Sequence, residues 1–350
     1  MCKRCVQDQN GQINSLGRST LTFQDDPGIF FLLMESSPTH SKSQSQARIS
    51  LMAKFREWAL IFRGDLRAAR STPDSSDIFT RVEEYRQLLD RYTGKKLMQA
   101  SLFDIGYGPR PYALLALIGL GIDARGIDMD APVLRGRPSE FWRILKTNGL
   151  ERAVKSAVIF FCFSAPKLRS LQRELRRRGG ALVTPPGRLL VGDAGQLDLP
   201  AGSLDLIVSE DVFEHISQPS LEAVVARMAR WLKPDGLALV RPCIYTGLWG
   251  GHLAEWCMTD LDDPRIVRRS QPWDHLRQRQ FRPNTYLNEL SRADFRDLFR
   301  RHFEIQEETV RNTDLGRRFM TPEIRAELGR YPDEELFSNQ VLFVLRPKRS

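Results

Sequence analysis

Cysteine is scarce in this chain. Five residues in 350, widely scattered, cannot build a disulfide framework, and this predicts a reducing, cytoplasmic location. Cys2 and Cys5 form a lone C-x-x-C. No second pair of ligands with suitable spacing follows, so the sequence predicts no metal site. Long hydrophobic runs are missing too. The longest, Ile29–Met34 and Ala157–Phe163, are far too short for a transmembrane segment. Met1 to Leu21 is polar and offers no signal-peptide core. A strong excess of one charge is also lacking, with 52 Lys+Arg against 43 Asp+Glu and a net charge of +9. Solvated helix faces rich in Arg explain that bias. It also permits an acidic substrate, nucleic acid or an anionic membrane surface, without requiring one.

What is present suits a globular protein. At 41% hydrophobic, the chain can bury a sizeable core, as one large domain with insertions or as two small ones. Residues 1–50 are polar and Ser/Gln-rich apart from Ile29–Met34, and are expected to be a flexible segment. Met34 and Met52 are both candidate start residues. N-terminal helices are expected over 51–93. In Leu51–Arg70, Met52, Phe55, Trp58, Ala59, Phe62 and Leu66 recur at helical spacing among basic residues. Packing on the domain's flank is the favoured reading of that helix, and contact with a membrane surface is the other. Ile78–Tyr92 forms the second helix, closed by Gly94.

The segment Leu102–Asp130 organises the rest. Leu102, Phe103 and Ile105 make a short apolar strand. Gly106 and Gly108 follow, where the backbone must turn tightly and approach a ligand without side chains. Pro111 suits the first turn of a helix. Tyr112–Leu120 is apolar on nearly every side, which predicts a buried helix. Ala124–Ile127 is the second strand, and Asp128 sits at its end, twenty residues after Gly108. An ordinary βαβ unit can contain such a turn. An acid at that distance is also where nucleotide-binding units receive ribose hydroxyls.

Further strands are expected at 188–191, 206–208, 237–240, 303–305 and 341–345. A helix bearing Leu221, Val224, Val225, Met228, Trp231 and Leu232 is stopped by Lys233–Gly236. Ser291 caps another helix, over 292–302. Insertions are expected at about 131–187 and about 243–290. Val158–Phe163 of the first either lines an acceptor pocket or packs on the core. Strand and helix patterns alternate throughout, so the class is α/β with a mostly parallel sheet.

Several ordered motifs resemble those of the class I S-adenosylmethionine-dependent methyltransferases, in the type 11-like branch acting mainly on small molecules. FDIGYG is similar to the first motif and GIDMD to the ribose-binding acid. GDAGQLDLPAGSLDLIVSEDVFEHI resembles the third-to-fourth strand region, and RMARWLKPDGLALV the helix stop and fifth strand. The resemblance covers about residues 95–242. It implies a Rossmann-like seven-stranded sheet with an antiparallel last strand, helices on both faces, and S-adenosyl-L-methionine as cofactor.

The same resemblance implies residue roles. Asp104, Gly106, Tyr107 and Gly108 would shape the loop under the methionine part of the cofactor. Asp128 and Met129 would meet the ribose end, with Asp128 accepting from the diol. Asp193 would face the adenine amino group, with Ala194 donating to the adenine from its backbone N–H. Ser209, Glu210 and His215 would border the reaction site. One departure stands out. Arg110, between Pro109 and Pro111, replaces the family's third glycine. It could pair with the cofactor carboxylate, face solvent or obstruct the site. Asp235 also replaces a turn glycine.

Methyl transfer to a hydroxyl requires loss of a proton. His215 is the first candidate base, followed by His252, Glu210 and Asp211; each could equally be a group that fixes a loop. The expected acceptor is a small molecule or a glycan, through a hydroxyl. Trp142, Trp249, Trp256 and Trp273 could stack on such a ring or pack in the core. The alternative function, motivated by Arg110, is a non-catalytic binding or regulatory protein. A nicotinamide-dependent oxidoreductase would need glycine at Pro111. An amino-methylating nucleic-acid enzyme would need an Asn/Asp-Pro-Pro-aromatic run where Ser209-Glu210-Asp211 stands. The oligomeric state has no signature in the sequence.

Overall fold

The structure, a computed structural model, describes residues 75–257, 261–262, 266–277 and 285–348. The expected flexible segment 1–50, Cys2, Cys5 and the helix at 51–70 lie outside them.

Seven strands alternate with helices as the sequence pattern requires. They are β1 Ser101–Ile105, β2 Asp123–Asp128, β3 Leu189–Val191, β4 Leu204–Glu210, β5 Leu232–Arg241, β6 Phe303–Arg311 and β7 Gln340–Pro347. Their order in the sheet is β3-β2-β1-β4-β5-β7-β6. β1 to β5 run parallel, and β7 is antiparallel to both β5 and β6. This is the expected Rossmann-like sheet. The parallel strands bring all their C-terminal ends to one edge, where ligands bind in such folds.

Residues alternate between the two faces with the period of a strand. Leu102, Leu206, Val208, Leu237 and Leu239 meet helices α1 (Ser76–Thr93) and α2 (Tyr112–Gly119) in one core. Phe103, Ile105, Ile207, Ala238 and Val240 point the other way. There they meet α5 (Gln218–Trp231) and α8 (Arg292–Arg300). α1 ends at Gly94, whose φ of 71° forms a left-handed cap with its N–H on the Asp90 carbonyl. Ser291 caps α8, accepting from the Asp294 N–H.

Three elements differ from expectation. β5 begins at Leu232, immediately after α5, so Lys233–Gly236 belongs to the strand instead of ending a helix in a loop. Leu232 pairs with Leu204, and an irregularity between Leu204 and Leu206 takes up the shift. Lys95 Nζ spans Asp205 and Asp235, holding that end of the strand. β6 extends to Arg311, longer than its apolar start suggested, because the edge strand carries polar residues.

The stretch expected as one insertion at 131–187 divides in two. Pro138–Ile159 (α3, kinked at Gly149) and the π-turn Phe160–Ser164 are the added part. Ala165–Arg177 (α4) buries Leu168, Leu171 and Leu175 in the core with α2, and is the crossover helix leading to β3. The insertion at 243–290 holds the short helices α6 (Ala254–Cys257) and α7 (Asp274–Arg277). It packs against a second excursion between β6 and β7, which contains α9 (Pro322–Glu327) and α10 (Asp333–Leu336). Trp256, Trp273, Leu328, Leu336 and Phe337 form a third core there. Of the two readings open for the tryptophans, Trp256 and Trp273 take the packing one, whereas Trp142 is exposed. Val158–Phe163 also splits: Phe160 and Phe163 are buried, whereas Val158 and Phe161 are exposed. Phe161 lines a cleft of about 430 Å³ with Pro138, Phe141, Trp142 and Leu145.

Candidate active site

β1 delivers the chain to a turn that only glycine can make. Gly106 has φ +79°, and a Cβ there would collide with the Val212 side chain. Its N–H donates to the Ile127 carbonyl at 2.8 Å, folding the turn back over β2. Gly108 also lies in the left-handed region, at φ +69°. Its N–H donates to Asp128 Oδ2 at 2.9 Å, while the Asp130 N–H donates to Oδ1 at 2.9 Å. Two backbone donors thus aim the carboxylate and leave further acceptor positions on both oxygens. Burial pushes the Asp128 carboxyl up to about 6. Arg152 holds Asp130 at 2.7 Å and so ties α3 to the same loop.

The other predicted cofactor residues divide by what they touch. Asp104 is buried in β1, and desolvation, with the Glu210 carboxylate nearby, raises it to about 8, so it is a neutral acid at pH 7. Tyr107 is buried and donates to the Leu190 carbonyl at 2.7 Å, joining the turn to β3. Ser209 is buried and donates to the Ile105 carbonyl at 2.8 Å, which makes it a brace between β4 and β1. Met129 is exposed beside Asp128. Asp193 accepts from the Gly195 N–H at 2.7 Å in the turn after β3, with Ala194 half-buried against the core. Arg110 is half-buried just before α2.

Glu210 is corrected from candidate base to anchor. Tyr85 Oη and Arg241 Nη1 each donate to its Oε1 at 2.8 Å, and Arg81 lies 2.9 Å from Oε2. Although burial opposes its charge, Arg241 and Arg81 bring Glu210 down to about 2. Arg241 also reaches Glu84, which Arg311 clamps from β6. The network bolts α1 across the ends of β4, β5 and β6. Asp211 accepts from Gln340 Nε2 at 2.7 Å.

His215 and His252 come together as the sequence could not show. Their rings lie 4.9 Å apart, both buried at the C-terminal end of β4. The His215 Nδ1 makes a 3.0 Å hydrogen bond with the Tyr286 carbonyl, which fixes a tautomer with the lone pair on Nε2. Burial lowers His215 to about 4 and His252 well below its ordinary value, so both imidazoles are neutral at pH 7. Two neighbours were missed from sequence. Glu214 lies in the turn after β4 and Cys243 just beyond β5. β4 and β5 are paired in parallel, with Glu210 opposite Arg241, and this register brings the two side chains together. The EHI motif contains Glu214 but gives it no role, and Cys243 has no local signal at all.

The family described as a methyltransferase domain (type 11) matches residues 145–240. No curated protein matches the chain. Among solved structures, the chain is similar to the PH0226 protein from Pyrococcus horikoshii OT3 at 16% identity and a TM-score of 0.40, covering 81% of this chain and 99% of that one. It is similar to a putative sarcosine dimethylglycine methyltransferase from Galdieria sulphuraria at 15% identity and a TM-score of 0.38, covering 76% and 85%. It is also similar to phosphoethanolamine N-methyltransferase 2 from Haemonchus contortus, in complex with S-adenosyl-L-methionine, at 14% identity and a TM-score of 0.36, covering 75% and 52%. Among the described residues, no helix is long and apolar enough to cross a membrane. Residues 145–240 thus carry the match to a methyltransferase domain, within a seven-stranded sheet of Rossmann-like order.

Proposed function

We propose that the acceptor is a small molecule, a sugar or another ring compound, methylated on a hydroxyl above the C-terminal ends of β4 and β5. The observation that carries this reading is the pair of neutral imidazoles there, on the same sheet edge as the Asp128 pocket. The sulfonium of S-adenosylmethionine supplies the methyl group. What remains for the chain is to align the acceptor in line with it and to receive a proton. His215 is the proposed proton acceptor. Its Nε2 carries the lone pair because Nδ1 is held by the Tyr286 carbonyl. Asp128, with the adjoining turn at Gly106 and Gly108, is proposed to hold the ribose, Met129 to cover it, and Asp193 and Ala194 to meet the adenine. Arg110 is proposed to pair with the cofactor carboxylate.

The test is methyl transfer from labelled S-adenosylmethionine to panels of hydroxyl, amine and thiol acceptors, with the product bond identified by mass spectrometry. An O-methyl product on a small molecule is expected. With that acceptor, His215→Ala should lower kcat by about 10²- to 10⁴-fold while cofactor affinity stays within about twofold. Exclusive N- or S-methylation, or an unaltered rate in His215→Ala, overturns the hydroxyl reading.

A further inference from the structure

One group of ligand-bearing side chains shares only His252 with the chemistry above. Glu214, Cys243 and His252 are all buried, and their donor atoms lie within 4.8 Å of one another. We infer that these three side chains form a binding site for a zinc-class divalent cation.

With the donors within 4.8 Å of one another, a point exists within about 2.8 Å of all three, against about 2.0–2.3 Å in a formed zinc site. The donor chemistry is specific. A thiolate with an imidazole and one carboxylate suits zinc or its close relatives, whereas magnesium and calcium take oxygen donors. Three protein donors leave one coordination position, the arrangement of an open site.

Glu214 supplies an independent reason. It is only 3% exposed, and neither carboxylate oxygen has a side-chain hydrogen-bond partner among the described residues, with only the backbone N–H groups of Glu214 and Cys243 bearing on it. An oxygen pair so enclosed is costly unless something compensates it. The backbone around His252 points the same way. His252 has φ +52°, a conformation rare outside glycine and found where a site holds it. Gly250 and Gly251 precede it, and a Cβ on Gly251 would lie 2.7 Å from the His275 ring. The loop is thus folded tightly enough to carry His252 inward. His215 stands at the margin, with Nε2 3.8 Å from Glu214 Oε1.

The site was invisible in sequence because its ligands come from three elements: the turn after β4, the end of β5 and the loop before α6. It is independent of the acceptor's identity, and its test does not use activity. The full chain is prepared with Cys2, Cys5 and Cys162 changed to Ser, which removes the other thiols able to bind metal outside this region. Cobalt(II) is then titrated as a spectroscopic probe, and zinc content is measured after dialysis against zinc chloride. The expected result is one ion per chain, a thiolate-to-cobalt charge-transfer band, and a rise of several degrees in unfolding temperature that chelation reverses. Cys243→Ser should abolish the band, and Glu214→Gln should weaken zinc binding at least tenfold. A chain that retains no metal and shows no band, or a band that survives Cys243→Ser, overturns the inference. Because the parent chain is read directly, a variant that fails to fold does not rescue it.

Discussion

The Asp128 carboxylate is buried yet tethered by two backbone N–H groups, and these two facts oppose each other. Desolvation disfavours its charge, the donors favour it, and the balance leaves it titrating at about 6. In the folded chain alone, that raised value means the ionised group costs stability. The cost is absent below its ordinary 3.8 and complete above about 6. Binding runs the other way, since a ribose diol needs the ionised form as acceptor. Affinity for S-adenosylhomocysteine should fall as pH drops through 6, by about tenfold at pH 5, in calorimetric titrations across pH 5–8. A flat profile would separate Asp128 from the sugar. Gly106 is constrained by sterics instead. Gly106→Ala adds a left-handed non-glycine residue and a clash with Val212, and should cost about 2–4 kcal/mol in urea denaturation.

Among elements, α1 is joined to the sheet by charge as well as by its apolar face. Arg241 is 3% exposed and lies between Glu210 and Glu84. Arg241→Met removes the buried guanidinium shared by two carboxylates, leaving Glu210 with Arg81 and Tyr85 and Glu84 with Arg311, and should cost about 3–5 kcal/mol of stability. Arg81, with its side chain 45% exposed, should cost less than about 1 kcal/mol when replaced by Ala. Glu210 is depressed to about 2, so its contribution is full above its ordinary 4.5 and is lost as pH falls through 2. Urea midpoints of both variants at pH 7, with Arg241→Met showing the larger loss, check this ordering. Most elements were legible in sequence, because period-2 and helical patterns are local. Leu102 and Phe103 go to opposite faces as alternation demands, and α2 is apolar all round because it is buried. The start of β5 was not legible. Lys233–Gly236 reads as a turn, and only pairing with β4 makes it strand.

At the level of the whole molecule, the proposed cofactor side and the proposed acceptor side differ in how they are encoded. The turn at Gly106 and Gly108, with Asp128, lies within one βαβ unit, so its spacing could be read directly. The acceptor side is assembled from the ends of β4 and β5 and the loop at His252, separated in sequence and joined by strand register. Hence Glu210 looked like a base until α1 and Arg241 enclosed it, and Glu214 and Cys243 drew no notice. The third core around Trp273 and Phe337 was hidden for the same reason, since the insertion after β5 packs on an excursion after β6.

Titration of S-adenosylhomocysteine into the wild-type chain and into Asp128→Asn at pH 7.5 tests the cofactor pocket most directly. Each hydrogen bond to a charged acceptor is worth about 1.5–3 kcal/mol, so a single wild-type site and a loss of at least tenfold in the variant are predicted. No heat with the wild type, or equal affinity in both, would contradict the pocket that Gly108 and Asp128 define.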